Sequence, residues 1–584
     1  MTFEWIDWAV LIAFFAVSIG IGLRYASSAG KSVSEFFLGG RSLPWWIAGT
    51  SMVATTFAAD TPLLVAGIVA KNGISGNWIW WNMLLGGLLT TFFFAKYWRR
   101  SGVMTEVELI ELRYGGKPAA FLRGFKAVYL GLFMNVIIIG WVNLAMVNIL
   151  KGFFDLSEMQ ALIYVGIAML FVAIYSAISG LMGVAITDVI QFLIAMLGCI
   201  VLAILVVNSD RVGGISGLQA KLPSWSMSFF PSFGQTGGDS ISTALTISVG
   251  AFFARIGIQW WASWYPGSEP GGGGYVAQRM MSCRTEKDAV YSTLLFQVAH
   301  YCLRPWPWIL VGLSAIVLYP QLGAGEKEMG FVLAMKDFLP VGLRGLLLAA
   351  FFAAYMSTIS TQLNWGASYM VNDLYKRFIA PEGTEKQMIL ASRVVTLLLM
   401  VIALFITTII GTIENAWGFI IECGAGLGLV LILRWYWWRI NAWSEITATV
   451  APFAAYAVAA FGLKMSFPES FFITVGFTTV AWISVTYLTQ PESDAVLIKF
   501  YQRIRPKGWW QPVANKLNQQ MDNVGTGSLF GSWISATVMV YSILFFTGKL
   551  IFADWTWAGI YAVVAVIAFI LLNYFVKRSK ILTD

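Results

Sequence analysis

Histidine occurs once in this chain of 584 residues, cysteine four times, and charged side chains make up only 12% of it. Each scarcity excludes a class of function. Cys199, Cys283, Cys302 and Cys423 stand far apart and mostly in apolar runs, so neither a disulfide framework nor a CxxC metal site is expected. They read as small apolar packing residues. Catalysis at a metal or a nucleophile wants His, Cys or carboxylates clustered at ligand spacing. No such cluster occurs, so the chain is expected to be no enzyme and to carry no cofactor. A stretch of soluble-domain composition is missing too, which argues against a fused catalytic or signalling domain, and only the short tail "KRSKILTD" follows the last apolar run.

Apolar side chains fill the space these absences leave. Hydrophobic residues supply 58% of the chain and the mean hydropathy is +0.72, the composition of an all-α integral membrane protein. About fifteen spanning segments, each near the ~20 residues a bilayer core demands, begin close to residues 6, 44, 75, 121, 160, 182, 240, 289, 341, 388, 414, 446, 470, 529 and 555. Most of the 38 Lys and Arg then fall on one side, among them Arg24, Lys31, Arg41, Lys96, Arg99, Arg100, Lys376 and Arg377. This positive-inside bias puts the N-terminus outside and the C-terminus inside, in an integral protein expected in a bacterial cytoplasmic (inner) membrane. The net charge of +8 therefore needs no nucleic-acid partner to explain it. The run from Ile6 to Leu23 follows Glu4 and contains Asp7 rather than following a basic n-region, which reads as a retained helix and not a signal peptide.

Two spans look interrupted. "ATTFAADTPLLVAGIVA", Ala54 to Ala70, carries Thr55, Thr56, Asp60, Thr61 and Pro62 in its middle, and proline removes a donor from the helix ladder. The segment starting near Ser240 runs through "GAFFARIGIQWWASWYPGSEPGGGGYVAQR", where Gly257, Pro266, Gly267, Pro270 and Gly271 to Gly274 are poor helix formers. If the helix near residue 6 is peripheral, each interrupted span opens a set of five, and an odd number per set makes the two sets enter from opposite faces. Interruptions at corresponding positions of an inverted repeat mark the substrate site of a secondary transporter. The expected division is a peripheral helix over 1–35, a transport core over 36–440 with repeats at 44–207 and 240–436, and further C-terminal helices over 441–584. The inside loop near 491–527, with "KFYQRIRPKGWWQP", suits packing at headgroup level or a partner site.

Unwinding at the first break frees carbonyls such as those of Ala54 and Phe57, hard ligands suited to a small cation. A second oxygen source is "AAFFAAYMSTISTQLNWGASYMVNDLYKRF", where Ser357, Ser360 and Thr361 share a helical face and Thr358 is adjacent. Interhelical glue explains that cluster equally well. Trp78, Trp80 and Trp81, and again Trp260, Trp261, Trp264 and Tyr265, offer rings to a sugar or a cationic amine, or serve as interfacial anchors.

With "FFLGGRSLPWW", "SGLMGVAITDVIQ", "QRMMSCRTEKDA" and "AAYMSTISTQLN" followed by Asp373 and Tyr375, the chain resembles the sodium:solute symporter family of sodium/glucose, sodium/proline and sodium/sialic acid transporters. The resemblance implies a leucine-transporter-type 5+5 inverted repeat and Na+ as the coupling ion. It implies a sodium site from the carbonyls of Ala54, Phe57 and Ala354 with the hydroxyls of Ser357 and Thr358, and a second from Asp188, Ser360 and Thr361. A basic loop residue is the alternative partner of Asp188. By likeness to the sugar transporters, Asp60 and Thr61 face the substrate, and His300 lies with Arg304 near a polar substrate contact, with a purely structural role as its alternative. "WYPGSEPGGGG" is longer and richer in glycine than the family's usual segment before Gln278 and Arg279, and Glu269 falls within it.

A carboxylate near the midplane needs a partner, and Arg255 stands roughly halfway along the second interrupted span, so an Asp60–Arg255 pair is expected. Substrate contacts are thus assigned to Asp60, Thr61, Arg255, Trp260, Trp261 and Trp264. The expected activity is sodium-coupled import of a small polar solute, a sugar or polyol first and an amino acid or other metabolite second. A transporter-like sensor or a sodium-permeable channel is the alternative; a channel would want a repeated filter loop or ring-forming charges, which the sequence lacks.

Overall fold

The computed structural model describes residues 3–29, 31–231, 249–323, 325–411, 413–521 and 525–582. Among the described residues every regular element is helical, with three isolated β-bridges. Among the described residues ten helices are long and apolar enough to cross a membrane, or up to twelve when each of two bent pairs is one span. That count falls short of the fifteen expected, and the shortfall has physical sources.

Helix α1 (Trp5–Ala29) packs at the edge of the bundle, yet it is tied to the core by a buried acid described below. The first interrupted span divides into α2 (Trp45–Thr55) and α3 (Asp60–Asn72), bent by 60°. Pro62 lies in the first turn of α3, where its missing N–H is tolerated. The break therefore precedes it, at Thr56 to Ala59. Asp60 occupies the first position of α3, where the helix dipole favours a negative charge.

Helix α4 (Glu158–Val207) has 50 residues and opens with a capping box between Ser157 and Gln160. At 1.5 Å per residue it would measure ~75 Å, enough for two crossings. Gly180 (φ 58°, ψ −171°) interrupts it, and the hydroxyls of Tyr175 and Thr187 lie 2.6 Å apart. Twelve residues of straight helix would separate those positions by ~18 Å, so the chain turns at Gly180. The two expected starts near 160 and 182 are its two arms.

The expected start of the second interrupted span near residue 240 lies outside the described residues. From Trp260–Ala262 the chain leaves helical geometry at Ser263 and resumes it in α5 (Gly274–Ser282). Further along the chain, after several intervening helices, lies α6 (Leu343–Ser368), the serine-rich helix. Asp7 of α1 caps its start: Oδ1 accepts from Gly342 N–H at 2.8 Å and from Gly345 N–H at 2.7 Å, meeting donors that a helix N-terminus leaves free.

A third interruption, not anticipated, divides α7 (Ile413–Cys423) from α8 (Gly428–Tyr436). It answers the second one. Trp264 N–H donates to Gly424 O at 3.1 Å and Gly426 N–H donates to Ala262 O at 2.9 Å, an antiparallel bridge between Ser263 and Ala425. Each unwound backbone thereby satisfies the other where no water would do so.

The loop expected at headgroup level folds back on the protein in part. Trp510 is buried, and the Arg113 guanidinium lies 4.9 Å from its ring centre while donating to Arg434 O at 2.6 Å.

A Cβ at Gly424 would sit 2.5 Å from Trp264 O, whereas one at Gly418 on α7 meets nothing within 4 Å. Gly424→Leu is expected to destabilise the purified protein by about 1–3 kcal/mol, with Gly418→Leu close to neutral. Thermal unfolding in detergent measures both.

Candidate functional site

Four helices bring polar groups to one buried locus. Asp188, on the second arm of α4, is fully buried. Its Oδ1 accepts from Ser357 Oγ of α6 at 2.6 Å and its Oδ2 from Ser51 Oγ of α2 at 2.5 Å. Arg279 of α5 completes the set, with a guanidinium nitrogen 3.7 Å from Asp188 Oδ2. Its Nε donates to Ser51 Oγ at 3.0 Å, one terminal nitrogen to Thr361 Oγ1 at 2.7 Å and the other to Gln278 Oε1 at 2.9 Å. Gln278 in turn donates to Phe37 O and Asn364 Oδ1, both at 3.0 Å. A buried charge is tolerated when paired and fully hydrogen-bonded, and this network meets both conditions.

The first break abuts the same locus. Thr358 Oγ1 donates to the carbonyl of Thr55 at 2.8 Å, and the hydroxyls of Thr55 and Thr361 are 3.1 Å apart. The last residue of α2 is therefore fastened twice to α6. Ala54 O accepts from Phe57 N–H at 3.0 Å within the turn. Ala354 lies one turn before Thr358 on α6. The structure thus brings the stretch from Ala54 to Phe57 against the helix that carries Ala354, Ser357 and Thr358.

The second ligand set is arranged otherwise than the sequence suggests. Ser360 Oγ turns back to Ser357 O at 3.2 Å, and Thr361 reaches Asp188 only through Arg279. Asp188 itself is held by Ser357, a member of the first set, and by Ser51. Sequence reasoning missed Ser51 and the role of Arg279. The signal for the latter was the Gln278–Arg279 pair, an arginine carried into an otherwise apolar core.

A cavity of about 80 Å³ opens beside the break. Its polar lining includes Thr56, Asp60, Thr61, Ser268, His300 and Arg304, and its aromatic lining includes Trp80, Trp141, Tyr265, Tyr275, Tyr301 and Trp417. Asp60 is 2% exposed, and its Oδ1 has no hydrogen-bond partner. Thr56 is clamped: Arg304 donates to its Oγ1 at 3.0 Å, His300 Nδ1 lies 3.0 Å from it, and it donates to Val53 O at 2.9 Å. Arg304 also lies 3.0 Å from His300 Nε2. That nitrogen must accept, which puts the imidazole proton on Nδ1.

Four residues assigned to substrate stand elsewhere. Arg255 falls in a π-helical turn, Ala254–Gln259, and its guanidinium lies 5.5 Å from the Phe467 ring centre. The extra residue of such a turn shifts the helical register, so standing halfway along the span does not bring Arg255 to Asp60. Among the described residues Asp60 has no ion-pair partner; the basic group beside it in the cavity is Arg304. Trp260 packs near Trp533 with ring centres 5.8 Å apart, Trp261 Nε1 donates to Gly257 O at 2.7 Å, and Trp264 is buried at the bridge to Gly424. Of the tryptophans near the start of the second core span, Trp80 lines the cavity, while Trp78 Nε1 donates to Phe229 O at 2.9 Å.

With this geometry in place, the chain matches the sodium:solute symporter family over residues 36–449. It belongs to that family. It is similar to the sodium/glucose cotransporter of Vibrio parahaemolyticus, 27% identical over 515 residues that cover 84% of this chain and 92% of that protein. The sodium/sialic acid symporter SiaT of Proteus mirabilis is 25% identical over 487 residues, 80% of this chain and 91% of the relative. A solved structure of a Na+-coupled sialic acid symporter in a substrate-bound outward-open state matches with a TM-score of 0.67 at 22% identity, covering 84% of this chain and 100% of that one. The symporter therefore shares its fold with a known sodium-coupled carrier, and relatives of this kind are transporters rather than enzymes.

Removing Arg279 alone leaves Asp188 buried without its counter-charge, which costs about 3–5 kcal/mol for a pair of this kind. Arg279→Met should therefore be strongly destabilising, and Asp188→Asn in the same chain should restore most of the loss. Thermal unfolding of the two single variants and the double variant measures the coupling.

Proposed function

We propose that this symporter imports a small polar organic solute, a sugar or polyol, together with Na+, by alternating access of two inverted five-helix sets. The reading rests above all on one observation: the hydroxyl of Thr358 on α6 meets the freed carbonyl of Thr55 where α2 ends. A monovalent cation coordinated by Ala54, Phe57, Ala354, Ser357 and Thr358 would bridge α2 and α6, so it would bind well only when those helices are in register. Binding is thereby linked to one arrangement of the bundle. Neutral oxygens suit an ion that must leave again. Asp188 and Thr361, with Ser360 after a change of side-chain rotamer, supply the second cation position.

The cavity supports the solute class. Asp60 offers a carboxylate oxygen without a partner, Thr61 a hydroxyl, and the aromatic walls apolar faces, the combination that fixes a hydroxyl-rich ring in place. The names of the relatives, sodium/glucose and sodium/sialic acid, point to the same chemistry. Orientation follows the positive-inside bias, with the N-terminus outside in a bacterial inner membrane. The membrane potential then contributes ~2.3 kcal/mol per charge per 100 mV to import.

Thermal-shift screening of the purified protein against sugars, polyols and amino acids, with Na+ and with K+, tests the reading. Stabilisation by a sugar or polyol that requires Na+ is the expected result; stabilisation equal in K+ contradicts it. With that solute in hand, Thr358→Ala should raise the Na+ concentration for half-maximal uptake about tenfold, the equivalent of ~1.4 kcal/mol for one lost ligand. Asp60→Asn should abolish uptake while leaving the unfolding temperature and Na+ binding in place.

A further inference from the structure

Away from the cavity floor and the Asp188 network, two buried acids lie together without a counter-charge. Glu106 and Glu269 are each 3% exposed. Both converge on the glycine-rich hinge that joins the halves of the second interrupted helix. Glu269 Oε1 accepts from Gly267 N–H at 3.1 Å, while Glu106 Oε2 accepts from Gly274 N–H and from the Tyr369 hydroxyl, the latter at 2.9 Å. A Cβ at Gly273 would stand 3.0 Å from both Glu106 Oε1 and Glu269 Cβ, and one at Gly274 would stand 2.5 Å from Glu269 Oε1. Glycine at these two places is what admits both carboxyl groups. Glu269 Oε2, buried beside them, has no hydrogen-bond partner.

The surroundings offer no neutralising charge. Tyr275 and Tyr369 are the titratable neighbours, one facing Glu269 and the other Glu106. Behind Thr105, Arg123 is already bonded to Asp373 and Glu111, both at 2.6 Å. Arg434, over the Trp98 ring that flanks the hinge, pairs with Glu445 at 3.2 Å. Among the described residues no basic group forms an ion pair with Glu106 or Glu269. Two like charges confined in low dielectric repel strongly, and a shared proton removes the repulsion. A metal cation fits less well, because the main-chain groups aimed at the carboxyls are N–H donors rather than carbonyls. Glu269, whose Oε2 is buried without a partner, is the seat for the proton.

We propose that Glu106 and Glu269 together bind one proton, which makes the hinge of the second interrupted helix a proton site. Pro266, Ser268 and Tyr275 of the same segment line the cavity. Loss of the proton places a second charge at the hinge and drives the stretch from Gly267 to Gly274 away from Glu106, moving that cavity wall. Proton occupancy thereby biases which arrangement of the hinge the protein adopts, whatever its solute.

Infrared spectroscopy of the purified full-length protein during alkaline titration tests this. The wild type should show a protonated-carboxyl C=O band that disappears on titration. In Glu269→Gln the component of that band that belongs to the pair should be missing from the difference against the wild type. In Glu106→Gln the repulsion is gone, so the band should disappear at a proton concentration at least tenfold higher than in the wild type. Each variant tests the claim by itself if the other fails to fold. A band undiminished in Glu269→Gln, or a midpoint unmoved in Glu106→Gln, overturns the proposal.

Discussion

Hydrocarbon offers no hydrogen-bond partners, so a helix interrupted inside a membrane must find its missing partners within the protein. That constraint organises this structure. The first break is closed from the side, by the hydroxyl of Thr358 on the carbonyl of Thr55 and by the contact between Thr55 and Thr361. The second is closed by another break, with Ala262 and Trp264 exchanging backbone hydrogen bonds with Gly426 and Gly424. Neither interruption is a local defect. Each couples an unwound stretch of one helix to a specific neighbour.

Buried charge follows a parallel division. Where counter-charge is supplied, as by Arg279 for Asp188, the result is a cross-brace among α2, α4, α5 and α6. Where it is withheld, the group faces a cavity or a hinge: Asp60 has an open oxygen beside Arg304, and Glu106 and Glu269 share the glycine-rich segment with no basic ion-pair partner among the described residues. Fully compensated charges fix the fold, whereas incompletely compensated ones are costly unless a ligand or a proton completes them. Asp188 thus braces the fold besides offering its oxygens to the proposed second cation, whereas Asp60, Glu106 and Glu269 stand without a compensating partner.

Much of this was legible in the sequence, for reasons of spacing and composition. Pro62 with its run of threonines marked the first break, Pro266 to Gly274 the second, and the serine face of α6 the helix that the first break meets. The helical turn at Gly180 was implicit in two apolar runs placed end to end. What escaped reading depended on geometry that helical periodicity does not carry. Arg255 points elsewhere because a π-helical turn shifts its register, so Arg304 takes the place beside Asp60. The third break was signalled only by Gly424, Gly426 and Gly428, a pattern equally at home in close helix packing. Ser51 gave no signal, since its value lies in standing between Asp188 and Arg279, residues distant in the chain.

The central claim is that Na+ joins the break after α2 to the serine-rich face of α6. Hydrogen exchange followed by mass spectrometry, on the protein in Na+ and in K+ at equal ionic strength, tests it most directly. The account predicts that peptides covering Thr55 to Asp60 and Ala354 to Thr361 slow together in Na+ with the same concentration dependence. Exchange at both segments indifferent to Na+, or slowing at one without the other, would contradict it.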